Sequence, residues 1–304
     1  MTNQIFLDFQ QRIKDLYVVH PEVKRIWNIF DERRRLRKGS RKAPQSLFIM
    51  GKSRVGKSQI MERYAYSVPR YTELSEDGTE TDIIPVAYID CPSPFTIAEL
   101  YSEIIQKGLN ASLMGAKKIG ELKTRAYKLL KQQKVEMLII DEINFILSSR
   151  YVTKTEAMEQ LKDIANKAGV IVVCVGTPDI GQLRKLNEQY VVRYPSINIR
   201  WFKEYDESFV DLLRQIEEQL NAPIPLGFSD TKSAMPEFIH HLCGGLIGWL
   251  DLMLYEAFKI VGALDENFND FSILRKIDGD VLYQARKNVI GELSDEEINK
   301  FLER

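Results

Sequence analysis

The clearest indication of the fold is an octapeptide, Gly51-Lys52-Ser53-Arg54-Val55-Gly56-Lys57-Ser58. Its residues fit the pattern G-x-x-x-x-G-K-[ST], in which glycines let backbone N–H groups turn inward around phosphates at the start of a helix. An apolar run (47–50) precedes the octapeptide and a helical pattern (60–64) follows it, which is the context that predicts a phosphate-binding loop. We expect Lys57 to neutralise the β- and γ-phosphates of ATP and Ser58 to coordinate Mg²⁺.

The second signal is an apolar run that ends in two acids, Met137-Leu138-Ile139-Ile140-Asp141-Glu142. Such a run predicts a buried strand that presents carboxylates at the carboxyl edge of a parallel sheet, where open α/β sheets bind ligands. We expect Asp141 to hold Mg²⁺, directly or through water. We expect Glu142 to orient and polarise the attacking water, which favours a hydrolase over a kinase.

Short apolar runs separated by helical patterns predict an α/β fold with a parallel sheet covered by helices on both faces. We expect an N-terminal helical segment with a basic tract (1–42), a nucleotide-binding core (43–203) and a C-terminal helical region (204–304), where the β signal disappears. The predicted strands are Ser46–Met50, Ile84–Asp90, Met137–Asp141, Val170–Gly176 and Ile197–Trp201.

Two further polar residues occupy positions that a nucleotide site would use. Thr177 follows the apolar run Val172–Gly176. It either hydrogen-bonds the γ-phosphate or the water, or it belongs to a plain Gly-Thr-Pro turn. Arg193 follows a helix predicted over Leu183–Tyr190. It is either a finger that reaches the γ-phosphate of a neighbouring copy or a surface arginine.

The net charge of −1 conceals a segregation of charge along the chain. The basic stretch Arg33–Lys42 either touches DNA, shapes the adenine pocket or is solvated. The stretch Lys117–Lys134 contains one acid, Glu121, and its apolar residues share one side of a predicted helix. Since solvated faces usually mix both signs, this second stretch is either an ordinary solvated face or a surface that contacts DNA phosphates. The candidate DNA-contacting residues are Lys117, Lys118, Lys123, Thr124 and Arg125.

Composition argues against several other classes of protein. The 304 residues are 44% hydrophobic and 28% charged, as in an ordinary globular protein. No apolar run approaches the roughly 18 residues of a membrane span, and the N-terminus lacks a secretion-signal pattern, so we expect a cytoplasmic protein with no membrane partner. Cys91, Cys174 and Cys243 lack the spacing of a zinc site or a disulfide framework.

Taken together, these motifs resemble the AAA+ regulators of DNA transposition, the TniB and TnsC family. The likeness extends from about His20 to about Ala257, and it rests on the order and spacing of the motifs. They are His20-Pro21 before a helix and basic tract, Gly51–Ser58, Val135–Glu142, Val175-Gly176-Thr177, Glu188-Gln189 leading into Arg193-Tyr194, and Gly245-Leu246-Ile247-Gly248.

The resemblance implies a P-loop NTPase of the AAA+ class, with a RecA-like parallel sheet of five strands flanked by helices and a small C-terminal helical lid. It implies ATP and Mg²⁺ as ligands, with ATP bound between the subunits of a ring or helical filament around double-stranded DNA. It also implies partners, a transposase and a target-selection protein, in the nucleoid of a prokaryotic cytoplasm. Carried onto this chain, Thr177 takes the first sensor position, Arg193 the finger and Lys117–Lys134 the DNA-facing segment.

Trp249 departs from the wider AAA+ pattern, because many AAA+ proteins have a phosphate-sensing arginine in the motif that here reads Gly248-Trp249-Leu250-Asp251. Either the lid senses nucleotide differently or hydrolysis is slow, as suits a switch. Trp249 itself either stacks near the base or packs in the lid. Two other functions stay open at this stage. One is a helicase loader or replication initiator, and the other is a nucleotide-switched signalling ATPase that binds no DNA.

Overall fold

The computed structural model describes residues 2–39, 43–76, 78–116, 118–292 and 297. Their contacts divide the chain into two compact units. We call Glu22–Ser53 with Lys57–Ile199 the sheet unit, and Met1–Pro21 with Arg54–Gly56 and Arg200–Arg304 the helical unit. This division groups the first residues of the chain with the last ones. The boundaries expected at residues 42 and 203 remain predictions.

Helices and strands both occur through the first two thirds of the chain, and the elements described after β7 are all helical. In chain order the elements begin with α1 (Thr2–Lys14), α2 (Pro21–Arg37), β1 (Leu47–Met50), α3 (Lys57–Ser67), β2 (Tyr71–Leu74), β3 (Glu80–Ile83), β4 (Val86–Asp90), α4 (Ile97–Glu103), α5 (Ile119–Gln132) and β5 (Met137–Asp141). They continue with α6 (Lys154–Ala168), β6 (Ile171–Gly176), α7 (Gly181–Arg184), α8 (Glu188–Arg193), β7 (Ser196–Asn198), α9 (Glu207–Leu220), α10 (Met235–Cys243), α11 (Ile247–Ile260) and α12 (Gly279–Ile290). A π turn, Ile104–Gly108, extends α4, and 3-10 turns cover Ile143–Ile146, Pro178–Ile180 and Phe271–Lys276.

Five strands form a parallel sheet in the order β4-β5-β6-β1-β7, which confirms the predicted fold class. Every residue of β5 and β6 is buried. Alternate residues of these strands, such as Ile140 and Cys174, share one hydrophobic cluster with apolar residues of α4, α5 and α6. Because parallel strands end at a common edge, the segments that follow β1, β5 and β6 lie side by side.

Four of the five sheet strands differ from the predicted bounds: β1 and β6 begin one residue later, and β4 and β7 differ by more. The pattern predicts a strand from Ile84, whereas β4 begins after Pro85, which has no N–H to donate to a neighbouring strand. The pattern predicts Ile197–Trp201 as the last strand, whereas β7 covers Ser196–Asn198. The chain leaves the sheet at this point, because Arg200 and the residues after it belong to the helical unit.

Two local features escape the sequence pattern. β2 and β3 form an antiparallel hairpin whose strands are largely exposed and polar, so they lack the apolar run that marks a buried strand. The helix predicted over Leu183–Tyr190 is two short helices, α7 and α8. The side chain of Asn187 accepts a hydrogen bond from the N–H of Gln189 and so caps a new helix at α8. Arg193 is therefore the last residue of α8 and does not follow the helix.

The helical unit joins the first helix of the chain to the last ones. The side-chain amide of Gln10 on α1 donates to the carbonyls of Ala263 and Asp265 at 3.0 and 2.8 Å. Phe9 of the same helix meets Phe258 of α11 edge to face, with ring centroids 6.0 Å apart. These contacts connect residues more than 200 positions apart, which the periodicity of a helix does not reveal.

Among the described residues, no single helix is both long and apolar enough to cross a membrane. Helices α10 and α11 meet that description only as a pair, and the pair is bent by 115° at the break between them.

The three cysteines of the chain give a direct test of this packing. Cys91, Cys174 and Cys243 are all buried, and burial raises the pKa of each thiol, that of Cys243 to about 12. Because the thiolate is the reactive form, the native protein at pH 8 should give no rapid reaction with Ellman's reagent, and all three thiols should react in guanidinium. A thiol that reacts rapidly in the native protein would contradict the burial of that residue.

Candidate functional site

The octapeptide Gly51–Ser58 connects β1 to α3, which begins at Lys57. The N–H of Gly51 donates to the carbonyl of Gly176 at the end of β6, at 3.1 Å, and this bond ties the start of the loop to the sheet. Gly56 has a φ of 86°, a left-handed conformation that costs glycine little. The chain thus turns sharply before α3 and leaves the N–H groups of the first helical turn without helical acceptors, as an anion site requires.

Lys57 is buried, with 7% of its surface exposed. Its ammonium donates to the carbonyls of Gly51 and Lys52 at 3.0 and 2.8 Å. Burial lowers the pKa of Lys57, and the charges of Asp141 and Glu142 partly oppose that shift. The loop therefore encloses a cation that has little contact with water.

Asp141 ends β5 and is completely buried. One carboxylate oxygen, Oδ1, accepts the N–H of Glu142 at 2.7 Å, and the other, Oδ2, accepts the hydroxyl of Tyr88 at 3.2 Å. The side chain of Ser58 lies close enough to this carboxylate to lower its pKa. Burial raises the pKa of Asp141, while these hydrogen bonds lower it. The structure thus brings the predicted residues Lys57, Ser58 and Asp141 together.

Glu142 follows Asp141 with a left-handed backbone, φ 52°, which directs the chain away from the strand into a 3-10 turn. Its Oε2 accepts a hydrogen bond from the side-chain amide of Asn144 at 2.8 Å. The oxygen of the same amide, Oδ1, accepts the N–H of Thr177 at 3.3 Å. Asn144 therefore connects the segment after β5 to the segment after β6, and Thr177 lies within this hydrogen-bond network.

The sequence reasoning missed two polar side chains of this network, Tyr88 and Asn144. Tyr88 donates to Asp90 as well as to Asp141, both at 3.2 Å, and Asp90 pairs with Asp141 across β4 and β5. Nothing in the local pattern singles out a tyrosine within a strand. Asn144 carries a weak signal, since it is a polar residue between the apolar Ile143 and Phe145, directly after the two acids.

Arg193 lies against α6. Its guanidinium donates to the side-chain oxygen of Asn166, and its Nε is buried with no hydrogen-bond acceptor among the described residues. The residues that follow Arg193 are held by Arg184, whose guanidinium donates to the carbonyl of Tyr194 at 2.5 Å and to the hydroxyl of Ser196 at 2.7 Å. The side chain of Arg193 is thus half-buried, in a segment that is held by hydrogen bonds, and it is not a freely solvated surface arginine.

The candidate DNA-contacting residues have different environments on and near α5. Lys117 lies outside the described residues. Lys118 and Thr124 are exposed. The ammonium of Lys123 lies 5.8 Å from the ring centre of Tyr101, and the guanidinium of Arg125 donates to the carbonyl of Ser112 at 2.7 Å. Lys128 and Lys131 are also exposed on this helix, so the exposed cations are not all among the predicted ones.

Residues of the first basic stretch make contacts at the amino edge of the sheet. Arg34 donates to Glu136, just before β5, at 2.8 Å, and Arg37 donates to the carbonyl of Gly169, just before β6, at 3.1 Å. The phosphate loop follows the opposite end of β1. Arg34 and Arg37 therefore do not shape an adenine pocket beside that loop. Arg41 and Lys42 lie outside the described residues.

Two observations in the helical unit concern Trp249, which departs from the AAA+ pattern of a phosphate-sensing arginine in this motif. Trp249 has 7% of its surface exposed, which favours packing within this unit. The preceding residue, Gly248, donates its N–H to the carbonyl of Arg54 at 2.8 Å, and both residues belong to the helical unit. The start of α11 thus contacts Arg54 through a hydrogen bond between main-chain groups.

A parallel sheet with a phosphate loop after β1 and an Asp-Glu pair after β5 defines a P-loop ATPase of the AAA+ class. Residues 10–204 match the family model described as bacterial TniB protein. The chain belongs to the TniB family, which confirms the resemblance drawn from the motifs. No curated protein matches the sequence.

Three solved structures illustrate proteins with a similar fold. The Aeropyrum pernix ORC2 protein in its ADPNP–ADP complexes is 15% identical, with 86% of this chain and 68% of that chain covered and a TM-score of 0.56. Cdc6p from Pyrobaculum aerophilum is 16% identical, with 86% and 68% covered and a TM-score of 0.54. The Aeropyrum pernix ORC1 protein in complex with DNA is 14% identical, with 95% and 82% covered and a TM-score of 0.52. At these identities the likeness establishes a shared fold alone.

Proposed function

We propose that this TniB family member is an ATP-dependent, double-stranded-DNA-binding regulator of transposition. In this proposal it assembles on target DNA, recruits or activates a transposase, and disassembles when ATP is hydrolysed. The observation that carries the proposal is the buried ammonium of Lys57, held by carbonyls of the phosphate loop and facing the charges of Asp141 and Glu142. A buried cation beside two carboxylates suits a triphosphate and its metal better than it suits a neutral ligand.

The side chains of the site fit ATP with Mg²⁺. The N–H groups at the start of α3 and the ammonium of Lys57 would bind the phosphates, along the whole octapeptide Gly51–Ser58. Ser58 and Asp141 would hold Mg²⁺, since both side chains present oxygen atoms and they lie close together. When bound, the metal neutralises charge on the phosphate oxygens.

Glu142 would orient the attacking water and accept its proton. Its carboxylate is half-buried and fixed by the amide of Asn144, so its free oxygen keeps a constant direction. Thr177, joined to the same amide, would hydrogen-bond the γ-phosphate or the water. These roles use groups that lie within one network, which favours hydrolysis by a prearranged site.

Arg193 would act in trans, on the γ-phosphate bound to a neighbouring copy of the chain. Its segment is rigidly held by Arg184, and a rigid segment positions a finger more accurately than a mobile one. To reach a neighbour, Arg193 has to exchange its contact with Asn166 for the phosphate. Hydrolysis would then depend on assembly, and turnover of the isolated chain would be slow.

The exposed lysines of α5 would contact DNA phosphates. Lys118, just before α5, and Lys128 and Lys131 on it are exposed, and Glu121, the one acid in the sequence from Lys117 to Lys134, accepts the N–H of Lys118 at 3.2 Å. A shallow groove of about 510 Å³ runs beside them, lined by Thr124, Arg125 and Lys128 among others. The complex of the ORC1 protein with DNA gives the same fold a precedent for DNA contact. In this proposal Lys117, Lys118, Lys123, Thr124 and Arg125 form the first group of contacts.

The partners of the proposed assembly are other copies of the chain in a ring or helical filament, a transposase and a target-selection protein. TniB family membership supports this set of partners, and a nucleoid-associated protein in the cytoplasm of a prokaryotic host would encounter them. Within each copy, residues 43–203 would form the nucleotide-binding core and residues 204–304 the lid.

The nucleotide site is tested by two substitutions with opposite expected effects. Lys57→Ala removes the charge-assisted bonds to phosphate, so affinity for a fluorescent ATP analogue should fall by about 100-fold or more. Glu142→Gln keeps the phosphate contacts, so binding should persist while phosphate release stops and assemblies stay on DNA. Lys24→Ala, an exposed lysine of α2, is the control and should behave as wild type. Normal hydrolysis by the Glu142→Gln variant would contradict the role given to Glu142.

The DNA surface is tested by neutralising Lys118, Lys128 and Lys131 together as glutamines. ATP-dependent binding to a duplex should weaken at low salt, and the slope of log affinity against log salt should fall by about 0.9 for each DNA phosphate that the variant no longer neutralises. The control changes three exposed lysines of the helical unit, Lys203, Lys232 and Lys276, to glutamine. An unchanged salt slope would favour a signalling ATPase. Stronger competition by single-stranded DNA than by duplex would favour a helicase loader.

The finger is tested by Arg193→Ala, with hydrolysis measured over a range of protein concentrations. Binding of the ATP analogue by the monomer should stay unchanged, while the extra hydrolysis that appears on assembly should fall by about 100-fold or more, as for other arginine fingers. Arg214→Ala, on the surface of α9, serves as the control. Wild-type hydrolysis at every concentration would exclude Arg193 from the site.

A further inference from the structure

The side-chain amide of Asn144 makes two hydrogen bonds of opposite kind. Its Nδ2 donates to Glu142 Oε2 at 2.8 Å, and its Oδ1 accepts the N–H of Thr177 at 3.3 Å. A carboxylate offers only acceptors and a backbone N–H only donates, so the two partners define the orientation of the amide. Only a side chain with one donor and one acceptor satisfies both partners at once.

The backbone around Asn144 is fixed independently of this amide. Ile143 and Ile146, on the same 3-10 turn, are buried with 0% and 1% of their surfaces exposed. The carbonyl of Asn144 accepts the N–H of Leu147 at 2.9 Å. The turn therefore holds Cα of Asn144 in place, and its side chain has a restricted choice of partners.

The end of β6 is shaped to admit this side chain. A Cβ atom at Gly176 would lie 2.6 Å from Asn144 Oδ1 and 2.9 Å from Ile180 Cγ2, closer than real Cβ contacts. Glycine at 176 thus leaves room for the amide directly beneath the segment that carries Thr177. The close approach of Asn144 and Gly176 indicates that the backbone of β6 and the amide are packed against each other, which supports this orientation of the side chain.

We infer that Asn144 is a positioning residue that holds the Glu142 carboxylate and couples its direction to Thr177 at the end of β6. In this inference Asn144 acts through Glu142 and Thr177, the two residues that its amide contacts. Its function is to give Glu142 a fixed oxygen and to make Glu142 and Thr177 move together. This inference rests on the proposed function, since it assigns Asn144 to the hydrolytic role of Glu142.

Asn144→Asp is the sharpest variant because it is nearly isosteric. The acceptor for the N–H of Thr177 remains, while the donor to Glu142 is replaced by a second carboxylate, which repels it. We expect kcat for ATP to fall by about 10- to 100-fold, a part of what a positioned general base contributes. The affinity for a non-hydrolysable ATP analogue should stay within about twofold of wild type. Asn187→Asp is the matched control, because Asn187 serves only as an acceptor at its helix cap.

A second measurement needs no nucleotide. In urea unfolding of the nucleotide-free protein, Asn144→Asp should lower the midpoint by about 0.5 M when Glu142 is present. In a Glu142→Gln background the same substitution should have little effect, because a glutamine amide can donate to the new carboxylate. An equal shift in both backgrounds would show that Asn144 acts on stability without Glu142, and it would overturn the inference.

The two measurements separate this inference from the proposed function. If the wild-type chain hydrolyses no ATP, the proposed function fails, while the urea cycle still reports whether Asn144 and Glu142 are coupled. If the chain hydrolyses ATP and Asn144→Asp leaves kcat unchanged, the inference fails and the proposed function stands. A parallel loss of kcat and of analogue affinity would also overturn it, since that pattern indicates a damaged site.

Discussion

The ammonium of Lys57 is a charge held away from water, and the rest of the site is arranged around that constraint. Removing an ion from water costs several kcal/mol unless nearby groups replace its hydration. Here two loop carbonyls accept its hydrogen bonds, and Asp141 and Glu142 supply opposite charge. β6 lies between β1 and β5, so the phosphate loop and the acids follow strands about 10 Å apart. The chain brings them together only because each follows a strand that ends at the same edge.

The acids impose a second constraint, since two neighbouring carboxylates repel each other and resist burial. Neutral hydrogen-bond donors surround them: the hydroxyl of Tyr88 and a backbone N–H for Asp141, and the amide of Asn144 for Glu142. Neutral donors stabilise the ionised forms without adding fixed charge that would compete with a metal. The carboxylates therefore stay available for a cation while their directions are already set. Such preorganisation is the main source of rate in phosphoryl transfer, where the protein does little covalent chemistry.

The basic residues of the chain have several different uses, which their numbers alone do not reveal. Arg34 and Arg37 fasten α2 to the amino edge of the sheet. Lys123 and Arg125 pack against the ring of Tyr101 and the carbonyl of Ser112. Exposed cations remain in and next to α5, and together with Lys123 and Arg125 they carry the proposed contact with DNA phosphates. A basic segment thus combines residues that hold the fold with residues that are free to meet a partner.

The sequence by itself determined the class of fold, the phosphate loop and the Asp-Glu pair, because each is a local pattern. An apolar run that ends in Asp141 predicts a buried strand, and a glycine turn before Lys57 predicts a phosphate loop. Neither prediction depends on the position of the strand in the sheet. The start of β4, the hairpin of β2 and β3 and the break before α8 depend on proline chemistry, exposure and a helix cap, which apolar periodicity does not register.

Only the tertiary structure decided which residues support the acids and where the arginines go. Tyr88 and Asn144 join the site because parallel pairing sets β4, β5 and β6 side by side, so residues far apart in sequence meet at one edge. Arg34 lies at the opposite edge of the sheet, because its partner Glu136 comes just before β5. Sequence spacing gives the separation of two residues along the chain, whereas hydrogen bonds act over about 3 Å in space. The order of the strands in the sheet determines which residues come that close.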